Sequence, residues 1–122
     1  MKIVAKTDVG KVRESKQDSY TTCELPNGVA WAVVCDGMGG AAGGNVASST
    51  AVKVIAEQIT SSFRPGMSAN SIKNMMVSAI NAANISVYDI SCSNSELYGM
   101  GTTVVCAIVM EHTAYIAHAG DS

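Results

Sequence analysis

Apolar and polar positions along the chain fall into two rhythms, and the rhythms divide it into elements. From Val29 to Cys35 every residue is apolar (Val-Ala-Trp-Ala-Val-Val-Cys). Such a short, unbroken run predicts a central strand covered on both faces and ending at Asp36. Thr102–Met110 and Thr113–Ala119 are also rich in β-formers, with Glu111-His112 as the tight turn between them. Residues 2–8 and 18–25 read as shorter strands. Pro26-Asn27-Gly28 supplies the turn from the second of these into the central run.

The middle of the chain changes period. Ala47, Ala51, Val54, Ile55 and Ile59 recur at steps of three and four, which predicts a helix over 45–62 with one apolar stripe. Pro65-Gly66 interrupts it. A second helix is expected over 69–91, with Asn70 or Ser71 as its cap and Ile72, Met76, Ala79, Ile80, Ala83, Val87 and Ile90 as its stripe. The methionines there read as core filler. A Ser/Asn loop (91–95) leads back to strands. Strands, two helices, then strands form an α+β order rather than alternating β/α units. Two helical stripes and about five strands ask for more sheet than 122 residues supply, and the last residues, Gly120-Asp121-Ser122, form an acidic loop directly after a strand. The chain therefore reads as 1–122 of a single, incomplete domain.

Composition narrows the function classes. A hydrophobic fraction of 48% with 15% charged residues is enough for a core and unlike a disordered segment. A net charge of −2, with 8 scattered basic residues, argues against a nucleic-acid partner. No apolar stretch approaches the ~20 residues of a membrane span, and Met1–Lys6 lacks the apolar region of a signal peptide. No membrane partner is expected. The four cysteines form no CxxC pair. Cys35 and Cys106 lie inside apolar runs and read as buried free thiols, so a reducing, cytoplasmic setting is expected.

The candidate chemistry centres on Asp36. It stands at the end of the apolar strand, followed by Gly37, Gly39, Gly40, Gly43 and Gly44. A carboxylate at a strand end is held rigidly with its head exposed, and neighbouring glycines let backbone oxygens approach an ion. The plainer alternative is an Asp-Gly hairpin turn. A phosphate-cradling P-loop is excluded because no Gly-Lys-Ser/Thr follows. A dinucleotide loop is nearly matched, but the βαβ context is missing. Asp18 and Asp121 are further carboxylates at strand boundaries. Arg13 lies in the polar stretch Gly10–Asp18. Each alone could be a cap, a turn residue or a solvated charge.

Taken together, Gly10-x-Val12-Arg13-x-x-x-Gln17-Asp18-Ser19, Val33-Val34-Cys35-Asp36-Gly37-Met38-Gly39-Gly40, and Gly101-Thr102-Thr103 with Ile116–Ser122 resemble, in order, the motifs of the metal-dependent protein serine/threonine phosphatases of the 2C type, bacterial branch. The resemblance spans essentially all 122 residues. It implies the N-terminal portion of one such domain, part of a four-layer α/β/β/α fold in which a β-sandwich is flanked by antiparallel helices. It also implies roles: Asp36 bridging two divalent cations (Mn²⁺ or Mg²⁺), the Gly37 carbonyl ligating one of them, and Asp18 holding metal-bound waters. Asp121 would help bind a third metal, and Arg13 would clamp the substrate phosphate through its planar fork. Two metals about 3.5–4 Å apart activate a water for in-line attack on a phosphoserine or phosphothreonine ester. No cysteine is followed by the Cys-x5-Arg loop of a thiol phosphatase. A phosphorylated protein substrate and a cognate Ser/Thr kinase are the implied partners.

Several positions depart from the pattern. Lys16 replaces a common Asn, Gln17 stands where some members carry an acid, and Ala41 replaces a frequent His. Met38 stands where animal relatives have His, as in bacterial members. The family's second half supplies two further aspartates, with no counterpart in these residues. The chain by itself is therefore expected to be inactive or nearly so. Two other readings stay open: a phosphatase-derived regulatory or binding module that self-associates, and a nucleotide-binding module built on the glycine loop.

Overall fold

The computed structural model describes residues 18–25, 28–38, 40–110 and 112–120. The strand expected over 2–8 lies outside them. Four strands, β1 (Asp18–Leu25), β2 (Val29–Met38), β3 (Gly101–Met110) and β4 (Thr113–Ala119), form one antiparallel sheet in the order β1-β2-β3-β4. Between β2 and β3 come two long helices, α1 (Gly40–Ser62) and α2 (Ala69–Ser93), and a 3₁₀ turn at Ser95–Leu97. This is the α+β order expected, with both helices packed on one face of the sheet.

The core follows the two periodicities. Trp31, Val33 and Cys35 of β2 and Val104, Cys106 and Ile108 of β3 point at the helices. Ala47, Ala51, Ile55 and Ile59 of α1, with Ile72, Met76, Ala79, Ala83 and Val87 of α2, close over them. Val54, Ile80 and Ile90, expected in the stripes, are only partly buried at their margins, and Met75 is buried instead.

Three local expectations are corrected. First, among the described residues β2 is covered on one face, not both: its alternate residues Ala32, Val34, Asp36 and Met38 point away from the helices, and Val34 is 41% exposed. Second, the glycine-rich stretch is not a loop up to residue 44. β2 continues through Met38 and α1 begins at Gly40. Gly43 is buried in the first turn of the helix, where a Cβ would lie 3.2 Å from Met100 Cβ. At that position the missing side chain permits close packing. Third, the cap of α2 is Ser68, whose extended backbone (φ −69°, ψ 162°) lets its hydroxyl accept from the Ser71 amide at 3.1 Å. Asn70 and Ser71 lie inside the first turn, too late to receive that bond themselves. The helix also runs two residues past the expected end at 91.

Ile55 has no exposed surface at the centre of the helix–sheet contact, so Ile55→Ala should cost about 2–5 kcal/mol through the cavity it leaves. Val77→Ala, on the outer face of α2, should change stability by less than about 0.5 kcal/mol. Urea unfolding of the two variants followed by circular dichroism checks the contrast.

Candidate active site

The strand pairings bring the separate motifs into one row. Asp36 on β2 is the register partner of Asp18 on β1 and of Thr103 on β3. One step further, β3 and β4 are aligned with Val104 opposite Ala119. Gly120 then lies against Thr103, where a Cβ would sit 3.2 Å from Thr103 Cγ2 and 3.3 Å from its Cα. Gly120 has φ +85°, a conformation in which side chains are strained, and there is no room for one. Residues separated by 67 positions in the chain thus meet at one end of the sheet.

Asp36 points to the face away from the helices, because its neighbours Cys35 and Gly37 are buried on the helix side. Its side chain is half-buried. The Asp36 N–H donates to Thr103 Oγ1 at 3.3 Å, and the Thr103 hydroxyl donates to the Asp36 carbonyl at 3.5 Å. On the helix side, Ser19, next to Asp18, shares a 3.0 Å hydrogen bond with the fully buried Ser48 of α1. The Ser48 hydroxyl also lies 3.4 Å from the Asn45 carbonyl, in donating geometry. This contact fastens the start of β1 to the third turn of α1.

Of the expected site residues, Asp36 and Gly37 are described in full, and Gly37 is buried at the end of β2. The backbone of Asp18 is placed opposite Asp36 by the register. Arg13 and Asp121 lie outside the described residues. The donor type fits a hard divalent cation: a carboxylate oxygen flanked by backbone carbonyls. Among the described residues no group of three or more His, Cys, Asp or Glu side chains converges. Thr103 belonged to a recognised motif without an assigned role, and Ser48 was not singled out. The signal at Thr103 was a hydroxyl residue near a strand start, which becomes meaningful only once the strands are paired.

A cavity of about 520 Å³ lies between α2 and the ends of β3 and β4, with Asn84, Tyr88, Met100 and Thr102 on its wall. It is on the helix side of the sheet. Asp36 does not line it, and among the described residues no charged side chain does.

Cys35 and Cys106 are fully buried, as expected. Burial, and secondarily the neighbouring Cys106, pushes the Cys35 thiol from 9.0 up to about 12, against a lowering contribution from its hydrogen bond with Thr102. Burial alone pushes Cys106 to about 11. Neither is a competent nucleophile near neutrality.

Comparison with known proteins agrees with the motifs. The protein phosphatase 2C family model matches residues 11–122, and the chain belongs to that family. It is 34% identical over 123 aligned residues to a protein phosphatase 2C-type protein of Streptococcus pyogenes, covering 100% of the chain and 48% of the relative. It is 32% identical over 117 to the serine/threonine phosphatase Stp of Listeria monocytogenes, covering 96% and 46%. Among solved structures, the Streptococcus agalactiae serine/threonine phosphatase superposes with a TM-score of 0.82 at 28% identity, over 95% of this chain and 47% of that one. Serine/threonine phosphatase Stp1 from Staphylococcus aureus gives 0.75 at 33%, over 95% and 45%. The chain spans about half the length of the relatives it matches.

The raised thiols make a pH prediction. The folded protein keeps both protonated while the unfolded chain ionises, so their contribution is fully present below about pH 9 and is lost progressively towards pH 11–12. The melting temperature should fall across that window, with a shallower fall in Cys35→Ala. Iodoacetamide at pH 8, read by peptide mapping, should label exposed Cys92 in the native protein and Cys35 and Cys106 only after unfolding.

Proposed function

We propose that this chain is the N-terminal portion, residues 1–122, of a single phosphatase domain that hydrolyses phosphoserine and phosphothreonine esters in proteins. The observation that carries the reading is the row across the sheet. Motifs from distant parts of the chain meet there, and Asp36 presents its carboxylate to the open face beside them. Asp36 is proposed as the bridging metal ligand and the Gly37 carbonyl as its backbone partner. Asp18 is proposed to hold water in the outer shell, Asp121 to serve a further cation, and Arg13 to grip the phosphate. Two divalent cations, Mn²⁺ or Mg²⁺, with a third in some states, would supply charge neutralisation and an activated water. The protein's own part is to hold the carboxylate rigidly, since β2 is clamped between β1 and β3. A phosphorylated protein is the substrate, and an opposing Ser/Thr kinase is the natural partner. Free thiols at Cys35, Cys92 and Cys106 support a reducing, cytoplasmic setting. Among the described residues no helix is long and apolar enough to cross a membrane.

Expressed from its full coding sequence, the protein should hydrolyse p-nitrophenyl phosphate only with Mn²⁺ or Mg²⁺, and Asp36→Asn should reduce the rate to background. Activity retained in that variant would overturn the two-metal assignment. The 122 residues alone should show background hydrolysis and weak Mn²⁺ binding; tight binding would overturn the incomplete site.

A second reading, an associating module, is favoured by one observation. The open sheet face carries exposed Tyr20, Val34, Val105 and Ile116, the last on β4 at the sheet edge and 67% exposed. At high concentration the 122-residue chain should sediment as a dimer or larger species, and Ile116→Lys should shift it to monomer. A monomeric wild-type chain would exclude this reading.

A further inference from the structure

Resting on the metal reading of Asp36, we infer that Thr103 is a positioning residue, the joint that sets the Asp36 carboxylate and holds the turn after β4 against it. Thr103 is unusual on the open face of the sheet. Its neighbours on that face in β3 are partly open to solvent, Val105 at 36% exposure and Ala107 half-buried, whereas Thr103 is only 8% exposed. Its two branches do separate things.

The hydroxyl accepts from the Asp36 amide and donates to the Asp36 carbonyl. Those two groups belong to the peptide planes on either side of the Asp36 Cα. Holding both, at 3.3 and 3.5 Å, adds to the strand pairing on either side in setting the direction in which the Cα–Cβ bond leaves the strand. A carboxylate ligand depends on that direction, because a small misplacement of a ligand degrades metal affinity.

The methyl group faces the other way. Cγ2 seats against Gly120, at the point where a side chain would collide with both Thr103 Cγ2 and its backbone. Gly120 immediately precedes Asp121. The same residue therefore touches the strand that bears one proposed ligand and the turn that leads to another. Valine would preserve the shape and the methyl contact while removing both hydrogen bonds. Serine would keep the hydrogen bonds and remove the contact with Gly120. The neighbouring Thr102 does not share the role: its hydroxyl donates to the Thr103 carbonyl at 2.9 Å.

The test uses the protein from its full coding sequence, with Thr103→Val, Thr103→Ser and Asp36→Asn compared with wild type. Amide hydrogen exchange at Asp36 and Gly37, read by NMR, reports the joint with or without metal. Isothermal titration with Mn²⁺ reports its consequence. Thr103→Val should speed exchange of the Asp36 amide about tenfold and weaken Mn²⁺ binding by about 10–100-fold. Its circular dichroism should stay native, and kcat should fall more than KM rises. Thr103→Ser should keep the Asp36 amide protected. Unchanged exchange in Thr103→Val, or equal loss of protection in Thr103→Ser, overturns the hydroxyl joint. Faster exchange with Mn²⁺ affinity unchanged overturns its service to the metal. If wild type and Asp36→Asn bind Mn²⁺ equally, the metal reading of Asp36 fails, while the exchange data still decide whether the joint exists.

Discussion

Burial of one face of the sheet beneath α1 and α2 is the constraint from which the candidate site follows. In a strand, side chains alternate sides, so placing Val33 and Cys35 under the helices forces Val34 and Asp36 outward. The same rule on β3 puts Val104 and Cys106 inward and Thr103 and Val105 outward. A one-residue slip of β2 against the core would bury the Asp36 carboxylate among apolar groups, at a cost of several kcal/mol for an unpaired charge. The hydrophobic core thus decides which way the acidic group faces, although it never touches it.

Parity alone would leave Asp36 facing outward without fixing where along the sheet it stands. That second coordinate comes from the ends of the elements. Gly43 lets α1 begin close against Met100, and the Ser19–Ser48 hydrogen bond ties the third turn of that helix to the start of β1. Both contacts lie at the same end of the sheet as the Asp18–Asp36–Thr103 row. The helix that covers the core therefore also braces the strand ends that carry the proposed chemistry.

The elements were legible in the sequence where one periodicity dominated. The stripe of α1 and the β-branched runs of β3 and β4 gave their own type and nearly their own bounds, because burial on a single face repeats at a fixed interval. The start of α1 was not legible. Five glycines between residues 37 and 44 look like a loop by propensity, and tertiary packing at Gly43 overrides that preference. The one-sided covering of β2 among the described residues was not legible for a related reason: alanine and valine suit either a buried or an open face, so an unbroken apolar run carries no parity signal. Asp36 was visible from its motif. Thr103 was visible only as a letter in one, because its role depends on partners at positions 36 and 120 that only the strand register brings together.

The open face sets the remaining physical problem. Antiparallel sheets commonly show a polar outer face, yet this one presents Tyr20, Val34, Val105 and Ile116. Leaving that surface in water forgoes roughly 25 cal/mol for each Å² that could be buried. A hard divalent cation, for its part, needs about six oxygen ligands, and among the described residues no cluster of acidic side chains supplies them. The helix side of Asp36 is already filled by Cys35, Ser48 and the first turns of α1. The apolar side chains and the Asp36 carboxylate therefore face the same direction. Any layer laid on that face would bury the apolar side chains and lie beside the Asp36 carboxylate at once, so the two properties of the open face are physically coupled.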